Sequence, residues 1–173
     1  MKKIWLVVPL VLLIAGCSQQ VSLETITDVP DTPVISAMQK ALIQLPEELS
    51  TPVLESEENG TLYLCDDYAL TVHTVQGGDL AKTIFNATGL DKETLQIIQT
   101  EQSGVKRYQW IWTTVGESGT QVGRGCVLDD GNYHYVLTAL CGEEIAGELQ
   151  SQWREIFASF RLTPEREAIS TGS

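Results

Sequence analysis

Apolar and polar positions divide the chain into three regimes. An apolar run from Ile4 to Ala15, interrupted only by Pro9, comes first. A polar stretch up to about Ser36 has no apolar period, and regular patterns begin only beyond it. Over residues 37–45 two readings compete: Ala37, Met38, Ala41, Leu42 and Leu45 have helical spacing, whereas Ala41, Ile43 and Leu45 alternate up to Pro46. The strand is preferred. Residues 46–60, rich in acids such as Glu47, Glu48, Glu57 and Glu58, read as a loop.

Residues 61–65 and 68–75 are rich in aromatic and β-branched side chains and form a hairpin or one bulged strand about Asp66 and Asp67. Gly77, Gly78 and Asp79 break that strand and cap a helix whose Leu80, Ile84 and Ala87 share a face. Gly89 closes it. Residues 91–102 fit a short helix or a strand, and the turn beyond Glu101 favours the strand. Over residues 106–115 Tyr108, Trp110 and Trp112 line one face and Arg107, Gln109, Ile111 and Thr113 the other. The aromatic stripe is either a platform for a sugar or peptide or the core face of a sheet, and the core reading is preferred.

Residues 121–128 and 133–141 make a hairpin with Asp130 and Gly131 at the centre of a type I′ turn. That register sets Cys126 opposite Tyr135, with Val122, Leu128, Tyr133 and Leu137 on the same side. Cys141 then lies roughly 20 Å along its strand from that point, which rules out a Cys126–Cys141 disulfide and leaves Cys65 as the necessary member of any bridge. Arg124 falls on the apolar side, either snorkelling at a sheet edge, the preferred reading, or as a functional cation over an aromatic ring. Beyond Gly142, Glu143 and Glu144 suit a helix N-terminus, and Ile145, Leu149, Trp153, Ile156, Phe157 and Phe160 form the stripe of a long amphipathic C-terminal helix. Residues 163–173 read as a polar, disordered tail.

The order of elements is that of an α+β domain over residues 37–162, an antiparallel meander covered by helices. Its closing pattern, Tyr133-His134-Tyr135-Val136-Leu137 followed by a helix ending in Phe157-Ala158-Ser159-Phe160, resembles the PsbP-like fold of bacterial lipoproteins and photosystem accessory subunits. The resemblance implies an α/β/α sandwich that acts in binding or assembly, with no catalytic residues to carry over.

The N-terminus fixes the compartment. Lys2 and Lys3, the short apolar run, and Ile14-Ala15-Gly16-Cys17 form the order of a signal peptide ending in a lipobox. The run is too short for a stable transmembrane helix. By resemblance to bacterial lipoproteins, cleavage falls before Cys17, whose thiol takes a diacylglycerol and whose new amine takes an acyl chain of the palmitate class. Two lipid attachments hold a protein durably on a bilayer, whereas one does not. Residues 17–36 are then a lipidated flexible tether, and the domain stands on the extracytoplasmic face of the cell membrane. The competing readings are an ordinary secretory signal and a true membrane anchor.

Charge excludes one class of partner. The formal net charge is -12, and without Lys2 and Lys3 the chain keeps 9 bases against 23 acids, a balance of -14. Such a surface repels phosphate backbones, so nucleic acid is not a partner. No Cys/His spacing suggests a metal, and no cofactor is implied. Asp129-Asp130-Gly131-Asn132 lacks the alternate acids and distal glutamate of a calcium loop.

The expected function is a membrane-anchored, non-enzymatic binding or assembly module for an envelope protein or peptide. Two alternatives stay open. One is an envelope-polymer hydrolase using Asp66, Asp67, Asp129 or Asp130, in which case His73 and His134 are the candidate bases. The other is a carrier of a small hydrophobic ligand in a cavity behind the Tyr108, Trp110 and Trp112 face. The lipobox makes a direct prediction: the full chain gains a lipid-sized mass and partitions into membranes, and Cys17→Ser loses both. Mass spectrometry of the two membrane fractions decides it, and an unmodified, soluble wild type would remove the anchor.

Overall fold

Strand alternation is realised as a seven-stranded antiparallel sheet in the computed structural model, which describes residues 37–49, 51–56, 60–116 and 119–163. In chain order the described elements are β1 (Ala41–Leu42), β2 (Leu54–Ser56), β3 (Gly60–Leu64), β4 (Tyr68–Gln76), α1 (Leu80–Thr88), β5 (Ile98–Gln102), β6 (Val105–Gly116), β7 (Gly119–Asp129), β8 (Tyr133–Gly142), α2 (Ala146–Ser159) and β9 (Arg161–Leu162). The sheet order is β2-β3-β4-β8-β7-β6-β5, so β5 to β8 form a meander and β8 closes onto β4. A separate ribbon pairs β1 with β9, Ala41 opposite Leu162. The described part is α+β, with a helix on each face of the sheet.

The two-residue period separates two cores. On one face Leu70, Cys126, Leu128, Tyr135 and Leu137 pack beneath Leu149, Trp153, Ile156 and Phe157 of α2. On the other, Trp110, Trp112, Val127 and Val136 pack beneath Ile84 of α1. Helix α1 follows its sequence signals closely: the Asp79 side chain accepts from the Ala81 and Lys82 amides, and Gly89, at φ 73°, terminates the helix.

The aromatic stripe of β6 is core. Trp110 and Trp112 are 2% and 6% exposed, which excludes a platform for a sugar or peptide on that face. Across the ladder, Trp110 stands opposite Gly125 and Trp112 opposite Gly123. A Cβ at either glycine would collide with the facing indole, so the absent side chains on β7 make the slots into which the indoles lie.

The β7–β8 hairpin forms one step away from its expected register. Asp130 N donates to Tyr133 O at 3.3 Å, which makes Gly131 and Asn132 the central residues of the turn. Gly131 has φ 91°, the positive value needed at the first central position. The Asp130 carboxylate accepts from the Asn132 and Tyr133 amides and so selects this turn over one centred on Asp130 and Gly131. Moving the turn by one residue slides the pairing by two. Cys126 therefore faces Leu137 and Leu128 faces Tyr135, and every side chain keeps its expected side of the sheet.

Several other expectations are corrected. Only Ala41 and Leu42 of residues 37–45 are in a strand, because that segment bonds to side chains: Gln39 N donates to Tyr135 Oη, and Gln44 N to Ser159 Oγ. The expected loop at 46–60 contains the edge strand β2 and the fully buried Leu49. Residues 92–94 form a 3₁₀ turn, and the strand expected over 91–102 starts at Ile98. Cys65, Cys126 and Cys141 are all free thiols. Cys65 and Cys141 flank Tyr68 on neighbouring strands, at about two inter-strand spacings or 9.5 Å, beyond disulfide reach. The signal peptide, Cys17, the tether and residues 164–173 of the tail lie outside the described residues.

Two predictions follow from this packing. Gly125→Ala overpacks the Trp110 slot and lowers stability by about 1–3 kcal/mol. Gly147→Ala, in α2 with nothing near the added methyl, raises it by about 0.4–1 kcal/mol. Urea unfolding measures both, and a neutral Gly125→Ala would refute the indole-over-glycine packing. The second prediction concerns alkaline pH. Burial pushes the Cys126 thiol up to about 11 against the opposing pull of Arg107 and Arg124. Tyr135, raised by burial and by its hydrogen bond to Asp130, reaches about 12. The unfolded chain loses these protons first, so stability is intact below about pH 9 and falls as pH rises towards 11 and 12. Cys126→Val flattens the fall that begins near pH 9; a profile superimposable on wild type would refute the assignment.

Candidate functional site

Helix α2 covers only part of its face of the sheet. Residues 44–49 run beside it, tied by Gln44 N to Ser159 Oγ and by Gln152 Nε2 to Glu48 Oε1 at 2.7 Å. Beyond the helix on its other flank, β6 and β5 present side chains to solvent. Ile98 and Ile111 are 66% and 65% exposed on this face, and Val115 is 84% exposed. The result is a ledge, with β5 and β6 as floor and Gln150, Trp153 and Arg154 of α2 as wall. Two clefts open along it, one of about 630 Å³ between Ile98, Ile111 and Arg154 and one of about 530 Å³ between Gln102, Arg107 and Leu162. From the Val105 end to Ile111 the floor runs roughly 20 Å.

The electrostatics of the ledge run against the composition of the chain. Arg124 and Arg154 line the first cleft and Arg107 and Arg161 the second, four of the five arginines in the sequence. Among the described residues no acid lines either cleft. Among the described residues the one basic nitrogen within 4.0 Å of a carboxylate is His134 Nε2, 3.9 Å from Asp129 Oδ2 on the opposite face, so no described carboxylate answers these guanidinium groups.

The arginines are placed by the alternation of β6 and β7 and by the end of α2. Arg107 donates from Nη1 to Phe160 O at 2.8 Å and from Nη2 to Phe157 O, satisfying carbonyls that the helix terminus leaves open. Arg161 donates to Ser159 O at 3.3 Å. Arg124 lies with its guanidinium carbon 4.7 Å from the centre of the Phe157 ring and reaches Gln109 Oε1 only at 3.5 Å. Burial lowers its pKa; the Cys126 thiol pulls the other way, and Arg107 and Arg154 lower it further. Because β7 is interior to the sheet, the edge-snorkelling reading of Arg124 is corrected. It is a half-buried cation over an aromatic ring.

A cation–π contact contributes about 0.5–2 kcal/mol. Desolvating a charge costs several kcal/mol, and an apolar side chain of the same volume often serves a fold as well or better. The charge of Arg124 is therefore suited to a ligand more than to the fold. The ledge as a whole offers planar, bidentate donors separated by apolar patches and amides, a surface for an extended anionic ligand with apolar substituents.

The other residues singled out by sequence lie elsewhere. Asp66 and Asp67 sit at one end of β4, and Asp129 and Asp130 at the other, about 27 Å away over eight residues. These two pairs cannot act on one bond. Asp129 and Asp130 accept from turn amides, and Asp130 also accepts from Tyr135 Oη at 2.9 Å. His134 is 1% exposed, with Nδ1 hydrogen-bonded to Thr83 Oγ1 at 2.7 Å, a buried link between α1 and β8. Burial lowers the pKa of His73. The cavity sought behind Tyr108, Trp110 and Trp112 is filled by the α1 core, and the open volume is on the other face. Among the described residues no cluster of His, Cys, Asp or Glu could hold a metal, and no helix is long and apolar enough to cross a membrane.

Sequence reasoning singled out Arg124 but missed Arg107, Arg154 and Arg161 as its companions. The available signal was the face of β6 opposite the tryptophans, where Arg107, Gln109, Ile111 and Thr113 are too mixed for a core.

No family model and no curated protein sequence matches the chain. Among solved structures it is similar to LpqN of Mycobacterium tuberculosis, a protein involved in cell envelope biogenesis, at 11% identity and a TM-score of 0.49 over 75% of this chain and 87% of LpqN. It is also similar to cyanobacterial PsbP (CyanoP) of Synechocystis sp. PCC 6803, at 12% identity and a TM-score of 0.46 over 71% of this chain and 82% of that one.

Proposed function

We propose that the chain is a lipid-anchored, extracytoplasmic binding module of PsbP-like α/β/α form, without catalytic activity, that holds an envelope protein or peptide on the ledge beside α2. The lipobox ending at Cys17 supports the anchor and the compartment. The observation that carries the binding reading is the ledge itself, where four arginines gather with no acid among the described lining residues, in a chain of net charge -12. A solvated surface with that composition would have mixed charges. In this reading the anchor restricts the search to partners at the membrane surface, and the ledge supplies the contact.

The test is a photo-crosslinking residue placed at Ile111 on the ledge, or at exposed Asn86 on α1, in the full chain in its native membrane. The expected result is a discrete protein adduct from position 111, absent from position 86 and lost when Arg124→Met is added. No adduct at 111, or the same adducts from both positions, would remove the ledge as the site.

A further inference from the structure

The ledge has a spacing as well as a charge, and the spacing narrows the ligand. Resting on the binding reading above, we infer that its occupant is an acidic, extended peptide segment with acids four residues apart and an apolar residue midway between them. Arg124 pairs with Ile111 across the β6–β7 ladder, and Arg107 pairs with Leu128. The two ladder positions are therefore four residues apart along β6, roughly 13 Å. Arg154 joins Arg124 in one cleft and Arg161 joins Arg107 in the other. The ledge thus has two cationic stations, and between them lies the pair Ile98 and Gln109, with the Ile98 side chain open to solvent.

An extended chain directs every second side chain to the same side, about 6.7 Å apart. Residues i and i+4 of a segment lying along the ledge then meet the two stations, and residue i+2 meets Ile98. Six or seven residues fill the roughly 20 Å floor. Carboxylates match guanidinium donors in geometry as well as in sign. A fatty acid or an anionic headgroup brings one charge centre to a surface that has two, which is why the peptide is favoured.

A random heptapeptide display library panned against the full chain in detergent micelles tests this without assuming a partner. The expected outcome is enrichment of sequences with two acids four apart and an apolar residue between them. The best peptide should lose about 10-fold or more in affinity when either acid is replaced by its amide, and by a similar factor against Arg124→Met or the exposed-site variant Arg154→Gln. Arg124→Met should keep or raise its urea midpoint, which separates lost binding from lost fold. Enrichment without acids, or acidic peptides that bind wild type and both variants equally, would overturn the inference. Binding of phosphatidylglycerol vesicles or oleate through the same arginines, with no acidic peptide enriched, would also overturn it while leaving the ledge as a binding site. Failure of peptide, lipid and crosslinking together would remove the binding reading itself.

Discussion

The packing of two indoles over two glycines organises this domain. A buried tryptophan removes about 200 Å² from water, worth roughly 5 kcal/mol at 25 cal/mol/Å² before entropy and denatured-state compactness are counted. A glycine within a strand costs only about 0.5–1 kcal/mol. Two such pairs, Trp110 with Gly125 and Trp112 with Gly123, therefore favour one register of β6 on β7 over any slipped alternative. A slip by one residue would send both indoles to the other face. With the bulk of β6 committed to the α1 core, its opposite face is left to Arg107, Gln109, Ile111 and Thr113, none of them fully buried. The ledge is thus a consequence of where the tryptophans go.

Its width follows from elementary dimensions. An α-helix with its side chains is about 10–12 Å across, and strands are about 4.8 Å apart, so one helix covers little more than two strands. On this face α2 lies over the centre of the sheet, and residues 44–49 extend the cover on one flank, where fully buried Leu49 joins the same core. No equivalent segment among the described residues covers the other flank. The chain that leaves α2 turns back as β9 to pair with β1, and this closes only the far end of the ledge. Arg107 serves two surfaces from one placement: it terminates α2 through Phe157 O and Phe160 O and contributes positive charge to the second cleft.

Local patterns carried much of the fold into the sequence, and long-range pairings did not. The β6 alternation, the Asp79 cap and Gly89 stop of α1, and the β7–β8 hairpin are short-range signals, each fixed by side chains within a few residues of where they act. The register error in that hairpin arose because Asp130 and Gly131 match a common turn, whereas the Asp130 carboxylate closes a different one; the face of each residue survived because the slip is even. The union of β4 with β8 has no local signature at all, since Val72 and its partner Leu137 are 65 positions apart in the chain. Arg124 was legible as an anomaly on an apolar face. Its companions were not, because Arg154 and Arg161 reach the same surface from α2 and β9, and only tertiary structure brings these elements together.

On the proposed binding reading, the ledge would draw an anion to a protein that repels anions from afar. The two fields differ in range. Acids such as Glu55 on the far edge strand β2 sit away from the ledge, as do Asp66 and Asp67 at the end of β4. At physiological ionic strength the screening length is about 8 Å, so charges one or two strand-lengths away contribute little at the ledge, while guanidinium groups in contact with a ligand are hardly screened. Lower salt extends the acidic field and slows the approach of an anionic ligand even as it strengthens the final contacts. In that reading the net charge would act as a filter on encounter, and the arginines would act on retention. A ligand with both a carboxylate pair and an apolar centre gains from each station of the ledge and from Ile98, whereas a simple anion meets the repulsion without that compensation.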